Sequence, residues 1–130
     1  MEIILASHGQ LATGMKSAVE MILGEADFIS CYDLCSYKTP VAIFNELKDV
    51  KDKVIITDIF GGSVNNVLLE LMEHNILISG MNLGLVLEVC LHRNNSDLYE
   101  SIEELIDETS KFICFVNREK NNYMGSDELW

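Results

Sequence analysis

The chain is poor in positive charge. Nine lysines and arginines face 21 aspartates and glutamates, for a formal net charge of −12. Phosphate backbones are held by Lys and Arg, so this balance argues against a nucleic-acid partner. It argues equally against docking on an anionic membrane surface. Much of the acid falls in residues 100–108 and at the C-terminal end, where it reads as a solvated helix face. Long hydrophobic runs are also missing. No apolar stretch reaches the roughly 20 residues a membrane helix needs. Met1 leads straight into a strand-like segment, so no signal peptide is expected and the chain reads as cytoplasmic. The four cysteines, Cys31, Cys35, Cys90 and Cys114, form no C-x-x-C and pair with no histidine at metal-ligand spacing. Cys90 and Cys114 lie in apolar runs and read as core. No metal or cofactor is expected. Internal repeats, linkers and low-complexity segments are absent as well.

What is present is a globular composition, 48% hydrophobic over 130 residues, enough for one domain with a real core. Apolar runs alternate with helical patterns. Residues 2–7, 28–33, 54–57 and 76–81 read as strands. Between them, residues 11–23 form a helix stopped by Gly24, and Pro40 opens a second running to about residue 48. Residues 63–74 give a third helix and residues 83–93 a fourth. A last helix, capped by Ser96, runs to about residue 109, with Leu98, Ile102, Leu105 and Ile106 inward. Residues 111–116 are a fifth apolar run, read as a strand, and residues 117–130 are a polar tail. The domain thus spans residues 1–116. Met15, Met21, Met72 and Met81 are assigned to the core. Asp33, Asp49 and Asp52 are assigned to solvated loops. His74 and His92, at helix C-terminal ends, are assigned structural roles. Strand–helix alternation implies an α/β fold, a parallel sheet with helices on both faces.

One stretch carries chemistry, Thr57-Asp58-Ile59-Phe60-Gly61-Gly62-Ser63. A carboxylate ends a strand, two glycines allow close backbone approach, and Ser63 is a good N-cap by type for the following helix. The first N–H groups of that helix have no internal partner and suit an anion. A second strand end, Ser7-His8-Gly9, adds a histidine. Parallel sheets place sites at the carboxyl ends of strands, where the strand order reverses. If the order is 2-1-3-4, His8 and Asp58 share one crevice beside Gly61, Gly62 and Ser63. The carboxylate then fixes one tautomer of the imidazole, leaving the other nitrogen free as base or nucleophile. With no Walker pattern and no Lys-rich loop, the ligand implied is a single phosphoryl group.

Three motifs in order, Ser7-His8-Gly9, Asp58-Ile59-Phe60-Gly61-Gly62-Ser63, and Gly80-Met81-Asn82 with Leu85-Val86-Leu87-Glu88, resemble the IIA component of the mannose–fructose–sorbose family of the bacterial phosphoenolpyruvate-dependent sugar phosphotransferase system. The resemblance covers about residues 1–116. It implies a three-layer α/β fold with a parallel sheet of order 2-1-3-4, and a fifth, antiparallel strand exchanged in a homodimer, for which residues 111–116 are the matching segment. It implies a phosphotransferase in which His8 takes a phosphoryl group on Nε2 from the histidine-containing phosphocarrier protein. His8 then passes it to a IIB component, for uptake of a mannose-, fructose- or sorbose-class sugar. Membrane IIC and IID components are met only indirectly. Asp58 matches the acid that holds Nδ1, and Gly61, Gly62 and Ser63 match the turn that receives the phosphoryl oxygens. The chain departs from the family at Val64, where proline is common, at Asn65, where an apolar residue is common, and at Leu83-Gly84-Leu85, another common proline segment. Two other readings share the fold, the phosphotransfer subunit of a dihydroxyacetone kinase and a regulatory binding module without phosphoryl transfer. A free-standing hydrolase ranks below both, because no metal cluster or second catalytic acid accompanies the site.

Overall fold

A computed structural model describes residues 1–123 of the chain. Four parallel strands, β1 (Ile3–Ser7), β2 (Ile29–Asp33), β3 (Val54–Thr57) and β4 (Ile76–Ser79), lie in the order β2-β1-β3-β4. The expected order 2-1-3-4 is therefore observed. Every residue of β1 and β3 is buried, because both faces of a parallel sheet are covered and no polar alternation is needed. Successive side chains still leave opposite faces. On one face, Ile3, Leu5, Val54 and Ile56 meet Ala12, Met15 and Val19 of helix α1 (Leu11–Leu23) and Val86 and Val89 of α4 (Leu83–His92), with Leu98 and Leu105 of α5 (Leu98–Ser110) joining them. On the other, Ile4, Ala6 and Ile55 meet Ile43 and Leu47 of α2 (Pro40–Leu47) and Val64 of α3 (Ser63–Val67), together with Leu68.

The register fixes the site. Ser7 pairs with Asp33 across β1 and β2, Ala6 pairs with Thr57 across β1 and β3, and Thr57 pairs with Ser79 across β3 and β4. The carboxyl ends of all four strands therefore lie at one level. The β1 and β3 ends, which carry His8 and Asp58, are neighbours.

Several expectations are corrected. The third helix is shorter than its apolar pattern: α3 stops at Val67, and residues Leu69–Glu73 form a 3₁₀ segment after Leu68 leaves helical geometry at φ −98° and ψ 0°. Met21, 88% exposed, and Met72 lie at the surface; Met15 and Met81 are core. Helical spacing alone does not say how wide the buried stripe is, and α1 buries only three positions. Asp97 rather than Ser96 precedes α5. Ile106 is 40% exposed, unlike the buried Leu98 and Leu105.

The largest correction concerns residues 111–116. They form no fifth strand in the chain. The N–H groups of Phe112 and Ile113 donate to the carbonyls of Thr109 and Ser110 at 3.0 and 3.2 Å, so the segment turns off the end of α5. A further helix, α6 (Val116–Tyr123), follows where a polar tail was expected. Phe112, Ile113, Cys114, Phe115 and Val116 are all exposed, so Cys114 is not core. The apolar run signals a need for burial, but a strand also needs a neighbour's free edge, and none is engaged here. The rest of the tail, residues 124–130, lies outside the described residues.

Candidate functional site

His8 stands on the loop between β1 and α1. Gly9 follows it with φ +54°, a left-handed turn that brings the chain round into the helix. Asp58 leaves the end of β3 and reaches across to that loop. Its Oδ2 accepts two hydrogen bonds from one residue, from the His8 backbone N–H and from ring Nδ1, both at 2.8 Å. Its Oδ1 accepts from the N–H of Ile59 at 2.9 Å. An ionised carboxylate can only accept, so Nδ1 carries the proton and Nε2 keeps its lone pair. The Ser63 hydroxyl lies 3.1 Å from Nε2 and is placed to donate to it. The His8 side chain is 46% exposed and that of Asp58 only 9%. The ring is therefore half-exposed, with Nδ1 on a shielded carboxylate and Nε2 beside the Ser63 hydroxyl.

The carboxyl of Asp58 feels opposed effects. Burial pushes it up. The hydrogen bonds from the His8 N–H and the His8 ring, the ring's charge when protonated, and the Ile59 N–H pull it down, and the net result lies below the ordinary value of 3.8. It is therefore ionised through the neutral range and keeps the imidazole in one orientation.

The glycine turn is built around this pair. Gly61 has φ +81°, a region L-residues rarely adopt. Gly62 needs its missing side chain for space: a Cβ there would lie 2.7 Å from Ile59 Cγ2 and 3.6 Å from His8 Cε1. The Gly62 N–H is engaged within the turn, donating to Ile59 O at 3.1 Å. Asn66 Nδ2 holds Gly61 O at 3.1 Å from the helix side. Ser63 is not the N-cap. Gly62 takes that position, and Ser63 as first helical residue turns its hydroxyl to His8 instead. The amides of Ser63, Val64 and Asn65 begin the helix and have no partner in a preceding turn.

Beneath the turn runs a buried polar chain. Thr57 Oγ1 lies 2.9 Å from Asn65 Oδ1 and 3.0 Å from Ser79 Oγ. Asn65 Nδ2 is buried with no hydrogen-bond partner among the described residues. The third motif serves the fold: Asn82 caps α4 by accepting from the Leu85 N–H at 3.0 Å, and Gly80 turns the chain at φ +101°.

His8, Asp58, Gly61, Gly62 and Ser63 thus converge as the strand ends implied. Asp33 was misassigned to solvent. It is buried, and its carboxylate accepts from the Thr13 N–H at 3.1 Å and from the Thr13 hydroxyl. Ser7, Thr13 and Asn66 carried no signal on their own. Once Ser7 and Asp33 are paired in register, however, an acid at the β2 end must sit near the start of α1. Cys31 and Cys90 supply no thiolate here: burial pushes both up to about 11. Among the described residues, no three His, Cys, Asp or Glu side chains are grouped to hold a metal ion. No described helix is long and apolar enough to cross a membrane.

Fold and site together define an α/β protein with an exposed, tautomer-fixed histidine at the switch point of its sheet. The family model of the fructose IIA component of the phosphotransferase system matches residues 2–106. The chain is 32% identical over 138 residues to the sorbose-specific EIIA component of Lacticaseibacillus casei, covering 99% of this chain and 100% of that protein. It is 24% identical over 119 residues to the mannose-specific EIIAB component of Escherichia coli, covering 84% of this chain and 37% of that longer protein. The crystal structure of phosphotransferase system component EIIA from Streptococcus agalactiae superposes with a TM-score of 0.73 at 25% identity, over 90% of this chain and 98% of that one. The chain belongs to the mannose/fructose/sorbose family of IIA components of the sugar phosphotransferase system. Phosphoryl transfer is the general work of such components.

Proposed function

We propose that the protein is a phosphocarrier in which His8 Nε2 receives a phosphoryl group from the histidine-containing phosphocarrier protein and hands it to a IIB component. The observation that carries this reading is Asp58 Oδ2 holding both the backbone N–H and Nδ1 of His8 at 2.8 Å, which leaves Nε2 of the half-exposed ring beside the Ser63 hydroxyl. In the transfer, the Nε2 lone pair forms a bond to phosphorus as the donor's N–P bond breaks, and that electron pair returns to the donor's ring nitrogen. The imidazole becomes cationic with Nδ1 still protonated, and the ionised Asp58 offsets that charge. The Ser63 hydroxyl, which faces Nε2 in the unmodified site, turns to a phosphoryl oxygen. The Gly61-Gly62 turn leaves room for that group, and the amides that open α3 favour its negative charge. Passage to the IIB histidine is the same step reversed, so the site needs positioning and charge stabilisation rather than acid–base chemistry.

The sugar served is of the mannose, fructose or sorbose class, and the sorbose-specific relative that matches end to end supports this. An EIIAB relative supports a IIB partner. A homodimer is the assembly that would cover the apolar side chains of residues 112–116 left exposed in one chain. The departures from the family pattern do not favour a mere binding module. Val64 is fully buried in the α2–α3 face of the core, and Gly84 makes room for the Phe112 ring.

The test is direct. The protein is incubated with phosphoenolpyruvate, enzyme I and the phosphocarrier protein, and its intact mass is read under alkaline conditions. One added phosphoryl group, lost in acid and absent from His8→Ala, is expected. A folded wild-type protein that gains no phosphoryl group refutes the proposal.

A further inference from the structure

Helix α1 begins without a local cap. Gln10 precedes it and makes no side-chain capping bond, and its first turn contains no acidic residue. Yet its opening amides are all occupied. The Leu11 N–H donates to His8 O at 3.4 Å, the Ala12 N–H to Ser7 Oγ at 2.8 Å, and the Thr13 N–H to Asp33 Oδ1 at 3.1 Å. The Thr13 hydroxyl adds a bond to Asp33 Oδ2. The helix is capped from the ends of two strands, one of them the neighbouring β2. Asp33 is itself fixed, since the adjacent Leu34 N–H donates to Ser7 O at 2.8 Å and Ser7 pairs with Asp33 in register.

The residues so clamped are His8, Gly9 and Gln10. Their entry is tied by the sheet and by the Ser7 bonds, and their exit by Asp33. We infer that Asp33, acting through Thr13 and the first turn of α1, is a positioning residue for His8. Two carboxylates from the strands on either side of β1 then share the histidine loop. Asp58 holds the ring directly, and Asp33 holds the helix that follows it. Asp33 touches no reacting atom. Its part is to keep the His8 backbone where one carboxylate oxygen of Asp58 meets both the N–H and Nδ1. A freed α1 start lets that bifurcated contact open, and with it the fixed tautomer. A displacement of well under a turn suffices, because transfer between ring nitrogens is sensitive to placement at the ångström level. The saturated amides also mean that α1, unlike α3, offers its first N–H groups to no incoming anion.

The inference rests on the relay reading for its rate consequence but not for its structural one, and two measurements separate them. The first is the ¹⁵N spectrum of the His8 ring in the full-length protein, which reports the share of the Nδ1–H tautomer without any phosphoryl donor. The second is the steady-state rate of phosphoryl uptake at varied phosphocarrier concentration. Asp33→Asn keeps one acceptor and removes the other. Thr13→Val removes the hydroxyl and keeps the shape. Both are expected to move the ring toward mixed tautomers and to lower kcat about tenfold with KM nearly unchanged, and Thr13→Ser is expected to restore both. If Asp33→Asn does not fold, the two Thr13 variants carry the test. Folded variants with wild-type ring shifts overturn the inference, whatever happens to their melting temperature. A wild-type protein that takes no phosphoryl group sinks the relay, while the ring spectra still decide the role of Asp33.

Discussion

Gly62→Ala offers a sharp test of how tightly the site is built. The backbone at Gly62 has φ −73° and ψ 164°, which alanine adopts freely, so any cost comes from space alone. The new methyl would lie 2.7 Å from Ile59 Cγ2 and 3.2 Å from Ile59 O. Overpacking of this kind costs about 1–3 kcal/mol. Losing a glycine from the unfolded chain returns about 0.4–1 kcal/mol. The Ile59 side chain is 60% exposed and can swing outward, which selects the lower end of the range. The net loss should be about 0.5 kcal/mol or less, a fall in Tm of no more than about 2 °C for a domain of this size. The carbonyl contact cannot relax so easily. Ile59 O accepts the Gly62 N–H, and the Ile59 N–H holds Asp58 Oδ1, so the strain passes to the carboxylate that orients His8. Phosphoryl uptake should therefore fall about ten- to a hundredfold, far more than the stability change alone implies. Thermal melts and uptake rates of Gly62→Ala, Ile59→Ala and the double variant form a cycle. Removing Cγ2 should restore most of the lost stability, with a coupling of about 1 kcal/mol between two residues in contact. A double variant whose losses simply add, or a Gly62→Ala protein as stable and as active as the wild type, would refute the packing argument.

Three further expectations follow from the same geometry. Ser63→Ala removes a hydrogen bond to a half-exposed ring that water can replace, so stability should change by less than about 1 kcal/mol, while the phosphorylated form loses one donor and hydrolyses several-fold faster in a decay assay at fixed pH. Asp58 is held below its ordinary value in the folded protein, so its contribution is present above the unfolded value and is lost as the pH falls through the folded one; urea melts of wild type and Asp58→Asn should differ at neutral pH and begin to converge only below about pH 4. In Gly84→Ala the new methyl takes the place of the Phe112 ring, and because alanine is the better helix former by about 1 kcal/mol, Tm should hold within a few degrees while amide exchange at Phe112 and Ile113 quickens; unchanged exchange there would mean the ring is not seated as described.

How far the sequence could be read depended on whether a feature was decided locally. The strands of the sheet were legible because a buried parallel strand needs an unbroken apolar run, and Val54, Ile55 and Ile56 are one. The His8–Asp58 pair was legible because parallel sheets put the ends of adjacent strands together, so two residues fifty apart in the chain need only end the right strands. Residues 111–116 were not legible. Phe112, Ile113, Phe115 and Val116 state that something should cover them, and composition does not say what or in which backbone form. Asp33 was lost for a related reason. An acid after a strand is usually solvated, and only the register across β1 and β2 turns this one into the cap of a helix that begins 22 residues earlier. The role of Ser63 shifted by one position, since capping preference cannot tell the N-cap from the first helical residue when a glycine precedes it.

The turn after Asp58 has one more consequence. Ile59 and Phe60 project from it, Phe60 at 83% exposure, yet the backbone beneath them is pinned by the Asp58 carboxylate, by the Gly62 N–H and by Asn66. Flexible loops lose freedom when they are gripped, and that loss weakens binding. Here most of it has been taken in folding. A protein that reaches for His8 would meet two large apolar side chains whose backbone is already held, so a contact made there loses little to ordering this turn. The apolar area buried at such a surface then counts almost in full toward binding.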